Sequence, residues 1–225
     1  DFVWIRRKID GTVASRIKEL NIEGLYFKKE MHRAYPSGSL AANIIGFVGL
    51  DGNGLEGLEY KYNNVLSRAS AKDDEEYASG DSLVLTINRF VQHHAEKAIS
   101  EAVKHTGAIQ GVVLVMEVKT GKLLAIGKYP SFDPNRFETS TQRQRQHYTV
   151  TDSFEPGSTL KIIAMALLLE LFPSLDRRYL CQGRVEVADT VINCIGVHGH
   201  VSPADIIKYS CNAGIIQAMK DVKKQ

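Results

Sequence analysis

Long apolar runs are missing from this chain of 225 residues. The most hydrophobic stretch, Ile162 to Phe172, carries Glu170 and falls well short of the roughly 20 apolar residues that span a bilayer. No secretory signal is read at Asp1. Charge of one sign is also scarce: 28 Lys and Arg stand against 26 Asp and Glu, a formal net charge of +2, which leaves no electrostatic footprint for nucleic acid. A hydrophobic fraction of 44% with 24% charged residues belongs to a globular chain, not a disordered one. Cysteines are few. Cys181 and Cys194 can bridge in an oxidising compartment or remain buried thiols, and Cys211 is the odd one out. Cys194 with His198 and His200 hints at a metal site, but no second ligand cluster with zinc spacing accompanies it. No metal and no other cofactor is therefore expected.

What the chain does contain is a lysine in an unusual place. Ser158-Thr159-Leu160-Lys161 follows Glu155-Pro156-Gly157 and heads a stretch that is apolar on almost every face. A helix of that kind is normally a core helix, where an ammonium is costly unless something pairs it or shifts its pKa. Residues three apart share a helix face, so Lys161 can reach the Ser158 hydroxyl. If loss of water lowers its pKa, it can take that proton and leave a nucleophile.

S-x-x-K alone is a weak signal. A second element strengthens it: Ser210-Cys211-Asn212 lies between two helix-like segments, Ala204 to Lys208 and Ala213 to Gln217. The order S-x-x-K and then S-x-N marks penicillin-binding proteins and class A β-lactamases.

On these residues the chain resembles the class B penicillin-binding proteins, monofunctional D,D-transpeptidases of peptidoglycan, and among them the division type. Arg33-Ala34-Tyr35-Pro36, Ile45-Gly46-Phe47-Val48-Gly49 and Gly54-Leu55-Glu56-Gly57-Leu58-Glu59 are similar to elements of that family's N-terminal pedestal. Val150 to Lys161 is similar to its nucleophile segment. Gln146-His147-Tyr148 departs from the family, which often has an asparagine and an arginine there.

The resemblance implies an α+β fold: a pedestal over residues 1–70, a linker over 71–82, and a penicilloyl-serine transferase domain over 83–225 with a central antiparallel sheet and helices. The polar run from Ser67 to Ser82, with Lys72-Asp73-Asp74-Glu75-Glu76, reads independently as a solvated linker. Leu83 to Ile87 reads as a strand, and Asn88 as the N-cap of a helix that docks through Phe90, Val91, His94, Ala95, Ala98, Ile99, Ala102 and Val103. In the pedestal, Ile9 to Leu20 reads as an amphipathic helix and Gly24 to Phe27 as a strand. Arg33 is either a surface ion pair or an anchor between pedestal and catalytic domain. Ser202-Pro203 supplies a cap and a first-turn proline for the helix before S-x-N.

Lys119-Thr120-Gly121 spells the family's third motif but precedes the other two. It separates the apolar runs Val112 to Met116 and Leu123 to Ile126, and so reads as a hairpin turn. The K-T-G strand of the family is expected beyond Gln225, which would make the domain C-terminally incomplete, with an unpaired sheet edge and a partly uncovered core helix. A membrane anchor is likewise expected ahead of Asp1, with the catalytic domain on the extracytoplasmic, periplasmic side.

The implied chemistry assigns Ser158 as nucleophile, Lys161 as its base, Ser210 as proton relay, and Asn212 as a substrate-binding side chain that also orients Lys161. The implied partners are D-alanyl-D-alanine stem peptides, β-lactam antibiotics, a membrane glycosyltransferase and other division proteins. Two rival readings share these motifs: a serine β-lactamase or β-lactam sensor, and a non-catalytic division scaffold.

Overall fold

A computed structural model describes residues 2–67 and 80–222. The linker expected at 71–82 lies almost wholly outside the described residues. Chain contacts separate two compact units, Asp1–Asp152 and Ser153–Gln225.

The first unit begins with α1 (Gly11–Glu19), capped by Asp10, whose carboxylate accepts from the Thr12 amide. The strand expected at Gly24 to Phe27 does not form. Gly24 turns the chain at φ +81°, and the segment pairs with no other among the described residues. Short helices α2 (Ala42–Ile45), α3 (Gly57–Lys61) and α4 (Asn63–Leu66) follow.

Glycines let this region pack backbone against backbone. A Cβ on Gly46 would sit 1.8 Å from the Glu56 carbonyl oxygen, and one on Gly57 would sit 2.6 Å from the Gly46 nitrogen. Both glycines also have positive φ, a conformation open to glycine at little cost. Arg33 grips the buried Glu59 with two bonds, Nε to Oε1 at 2.7 Å and Nη2 to Oε2 at 2.9 Å. The Tyr35 hydroxyl accepts from the Val48 amide at 3.0 Å and lies 3.4 Å from the same carboxylate. Arg33 is thus a structural anchor, and it ties together two parts of the N-terminal segment itself.

Helix α5 (Arg89–Thr106) starts as expected, with Asn88 Oδ1 accepting from the amides of Phe90 and Val91. Its docking face is rotated from the expected one. Gln92, Ala95 and Val103 are buried, whereas Phe90 and His94 are exposed and pack on each other, with ring centres 4.3 Å apart. The cause is Gln92, a polar residue that an apolar pattern leaves out. Its amide donates to Ile126 O and accepts from Ile126 N, both at 2.8 Å, so it meets the strand edge as a backbone would.

Strands β1 (Gly111–Met116) and β2 (Leu123–Tyr129) form the antiparallel hairpin on which α5 lies. Lys119-Thr120-Gly121 is its turn. Gly121 sits at φ +72°, and the Glu117 amide donates to Lys122 O at 2.8 Å. Leu83 to Ile87 forms no ladder, although the chain is held nearby where Asn88 N donates to Leu124 O. Val112, Leu114 and Met116 of β1 are exposed. Helices α6 (Gln142–Arg145) and α7 (Tyr148–Thr151) close the unit.

In the second unit a 3-10 turn (Gly157–Thr159) runs into α8 (Leu160–Leu171). Two short antiparallel pairings follow: β3 (Tyr179–Cys181) with β6 (Gly199–Val201), and β4 (Arg184–Val187) with β5 (Thr190–Asn193). Next come α9 (Pro203–Lys208), with the expected Ser202 cap in a full capping box, and α10 (Asn212–Val222). Met165, Leu168, Cys181, Val201, Ile206, Ala213 and Ala218 are among the residues of one core. Only one stripe of α8 enters it. Ile162, Ile163, Leu167, Leu169 and Leu171 stay exposed. Helices with antiparallel strands make the α+β architecture that the sequence implied.

Candidate active site

Two breaks in helix geometry build the site. Gly157, at φ +53° after Pro156, turns the chain into the 3-10 turn that presents Ser158, exposed, at the head of α8. Ser210 sits at φ +51° between α9 and α10, a left-handed conformation that costs a non-glycine residue about 1 kcal/mol or more. It aims both the carbonyl and the hydroxyl of Ser210 at one point.

That point is Lys161 Nζ. The nitrogen lies 2.6 Å from Ser210 O, 2.5 Å from Asn212 Oδ1, 3.0 Å from Ser210 Oγ and 3.3 Å from Ser158 Oγ. Ser210 Oγ is 3.0 Å from Ser158 Oγ, which closes a triangle of two hydroxyls and an amine. All four residues singled out in the sequence, Ser158, Lys161, Ser210 and Asn212, therefore meet.

The two shortest contacts decide what the amine can do. Ser210 O and Asn212 Oδ1 are carbonyl oxygens, so they only accept, and they engage two N–H bonds. A neutral amine has two. Its lone pair then faces the hydroxyls, where it can receive a proton. Burial lowers the pKa of Lys161, with charge on Cys194 and Cys211 acting the other way. The orientation of Asn212 is fixed from behind: its Nδ2 donates to Asn193 O at 2.7 Å, which leaves Oδ1 for the lysine. Asn193 acts through a backbone carbonyl and so has no signature in the sequence.

Beneath Ser210-Cys211-Asn212 lies a group of which the sequence suggested only part, Cys194 with His198. Cys181, Cys194, His198 and Cys211 place their ligand atoms within 4.8 Å of one another, while His200 points elsewhere, exposed on β6. The spacing C-x12-C-x3-H-x12-C is long and regular, unlike the short pairs that signal zinc fingers. The three cysteines carry no disulfide. Burial works to raise the Cys181 thiol, but hydrogen bonds from the backbone of His198 and Gly183 and with the Cys211 and Cys194 thiols together outweigh it and bring it down to about 6. Burial pushes Cys211 up to about 12.

Comparison with known proteins places the chain in a family. The sequence profile of the penicillin binding protein transpeptidase domain matches residues 111–225, and the chain belongs to that family. The probable peptidoglycan D,D-transpeptidase PenA of Neisseria gonorrhoeae is 34% identical over 186 residues, covering 74% of this chain and 32% of PenA. The peptidoglycan D,D-transpeptidase FtsI of Escherichia coli K12 is 30% identical over 229 residues, covering 95% of this chain and 39% of FtsI. Penicillin binding protein 3 of Mycobacterium tuberculosis, solved in complex with ampicillin, superposes with a TM-score of 0.77 at 29% identity, over 85% of this chain and 43% of that one. The chain spans between a third and two fifths of the length of these curated relatives.

Proposed function

We propose that the protein carrying this chain is a serine-type D,D-transpeptidase that cross-links peptidoglycan stem peptides in septal wall synthesis and is a target of β-lactams. The triangle of Ser158, Lys161 and Ser210 around one nitrogen carries this reading. Neutral Lys161 takes the Ser158 proton as Oγ attacks the penultimate D-alanine carbonyl of a stem peptide. Ser210 returns a proton to the departing D-alanine amine, and an acyl-serine ester remains. The amine of a neighbouring stem peptide then displaces Ser158 and forms the new peptide bond. Asn212 orients Lys161 and binds the donor peptide. The backbone N–H of Ser158, at the helix head, serves the oxyanion.

The same reading makes residues 1–70 a pedestal joined through 71–82 to a catalytic domain from 83 onward. It puts the catalytic domain at the extracytoplasmic face of the cell membrane, beside a glycosyltransferase and other division proteins. Among the described residues no helix is long and apolar enough to cross a membrane.

The test is gel detection of a fluorescent penicillin on the intact protein. Stable labelling that disappears in Ser158→Ala supports acyl transfer by this serine. Rapid release of the label would point to a β-lactamase, and absence of labelling to a scaffold. Either result overturns the assignment.

A further inference from the structure

The thiols of Cys181, Cys194 and Cys211 and the imidazole of His198 have no part in that chemistry, yet they converge from four separate places. Cys181 ends β3, Cys194 follows β5, His198 precedes β6, and Cys211 lies between α9 and α10. Cys194 Sγ is 3.6 Å from Cys181 Sγ and 4.0 Å from Cys211 Sγ, and His198 Nδ1 is 3.4 Å from Cys181 Sγ. A zinc tetrahedron with bonds of about 2.3 Å to sulfur and about 2.05 Å to nitrogen has edges of about 3.8 Å and about 3.5 Å respectively. The two sulfur separations lie on either side of the first edge, the sulfur–nitrogen separation is close to the second, and all four ligand atoms lie within 4.8 Å of one another.

We propose that Cys181, Cys194, His198 and Cys211 bind one Zn²⁺ ion, and that the ion clamps the Ser210–Asn212 turn in the position that serves Lys161. Three soft sulfurs and one imidazole at tetrahedral spacing select zinc over the oxygen-preferring magnesium and calcium. Outer groups are already in place. The Ala213 amide donates to Cys194 Sγ at 3.3 Å, and the Gly214 amide to Cys211 Sγ at 3.2 Å. Such donors favour thiolate and hold the ligand in direction. The His198 ring is stacked on Tyr209, 12° from parallel with centres 5.4 Å apart. The three sulfurs bind as thiolates and the imidazole as a neutral ligand, so the centre carries a formal charge of −1, and no electron is transferred. With four protein ligands the shell is closed, which makes the ion structural.

Two routes link the ion to Asn212, one along the chain and one through a hydrogen bond. Cys211 separates Ser210 from Asn212, and Cys194 follows Asn193, whose carbonyl holds the Asn212 amide. This positioning role rests on the acyl-transfer reading, whereas metal binding does not.

The intact protein, purified under reducing conditions, is analysed for metal and exchanged with Co²⁺. About one zinc per chain is expected, falling below about a tenth in Cys194→Ser, and the Co²⁺ form should show the visible bands and sulfur charge-transfer absorption of a tetrahedral thiolate site. Chelation should slow acylation by fluorescent penicillin by about 10-fold or more, with recovery on adding Zn²⁺. The cobalt spectrum uses the unaltered protein, so a variant that fails to fold does not decide the matter. Metal-free protein that takes no tetrahedral Co²⁺, or protein two hydrogens lighter through a Cys181–Cys194 disulfide, overturns the zinc site. Bound zinc whose removal leaves acylation unchanged overturns the clamp. Zinc without any labelling of Ser158 would sink the transpeptidase reading and leave the metal site standing.

Discussion

Each unit of the chain holds a lysine drawn away from water, and the two differ in what surrounds the nitrogen. Lys128, on β2, is 4% exposed and donates to three carbonyl oxygens, Arg143 O at 3.0 Å, Gln144 O at 2.7 Å and Gln146 O at 2.6 Å, with the Tyr148 ring 4.7 Å away. Burial brings its pKa down to about 8, with Glu56 opposing and Arg143 assisting. Lys161 is less buried and meets two carbonyl oxygens and two hydroxyls. Three obligate acceptors use every proton of an ammonium and hold it charged; two leave a lone pair for the hydroxyls. Loss of water is common to both sites. The third partner separates a knot that fixes a loop from the base proposed for Ser158.

The comparison breaks most sharply at Lys161. Lys161→Met keeps most of the unbranched stem and removes the amine with its lone pair, so acylation by a fluorescent penicillin should fall on the order of 10³–10⁴-fold with the thermal transition little changed. In the unaltered protein the acylation rate should climb with pH and level off below the ordinary lysine range, because the lowered pKa of Lys161 frees the neutral amine early. A rate that does not climb at any pH below the ordinary lysine range would deny it the role of base.

Ser210→Ala sharpens the same comparison, since it removes one hydroxyl and leaves the carbonyl that anchors the lysine. Acylation should drop about 10²-fold while the pH at which the rate levels off moves little. An unchanged rate would remove Ser210 from the proton path.

Lys128→Met should leave acylation per folded molecule unchanged and cost about 2 kcal/mol of stability, because three carbonyls lose their donor. The pH dependence has a definite sign. The folded pKa is about 8, against 10.5 ordinarily, so the unfolded chain binds more protons across that window and stability rises with pH between the two values. Denaturant melts at several pH values should show this slope in the parent protein and not in Lys128→Met. Loss of acylation without loss of stability would reverse the roles given to the two lysines.

Much of the local structure was legible from spacing alone. Ser158 and Lys161 share a helix face at any i, i+3 separation, and Asn88, Ser202 and the Lys119-Thr120-Gly121 turn act through their nearest neighbours in sequence. Local rules suffice for local partners. They misplace the docking face of α5, because Gln92 is polar by composition and buried by virtue of a strand edge 34 residues away. They also assign strands to Gly24–Phe27 and Leu83–Ile87, since apolar character signals a strand only where an edge is available to pair with it.

By itself the sequence determined the motifs, their order and the family to which they belong, because each is a short-range pattern of side-chain chemistry. Only the tertiary structure decided that Ser210 and Asn212 arrive at Lys161 with two acceptors and a free lone-pair direction, that a carbonyl of Asn193 locks the amide, and that three thiols and an imidazole meet beneath them. Those relations join residues 13 to 52 positions apart. No local preference specifies a distance of a few ångströms across such separations; packing of α8, α9, α10 and the short strands around one core does.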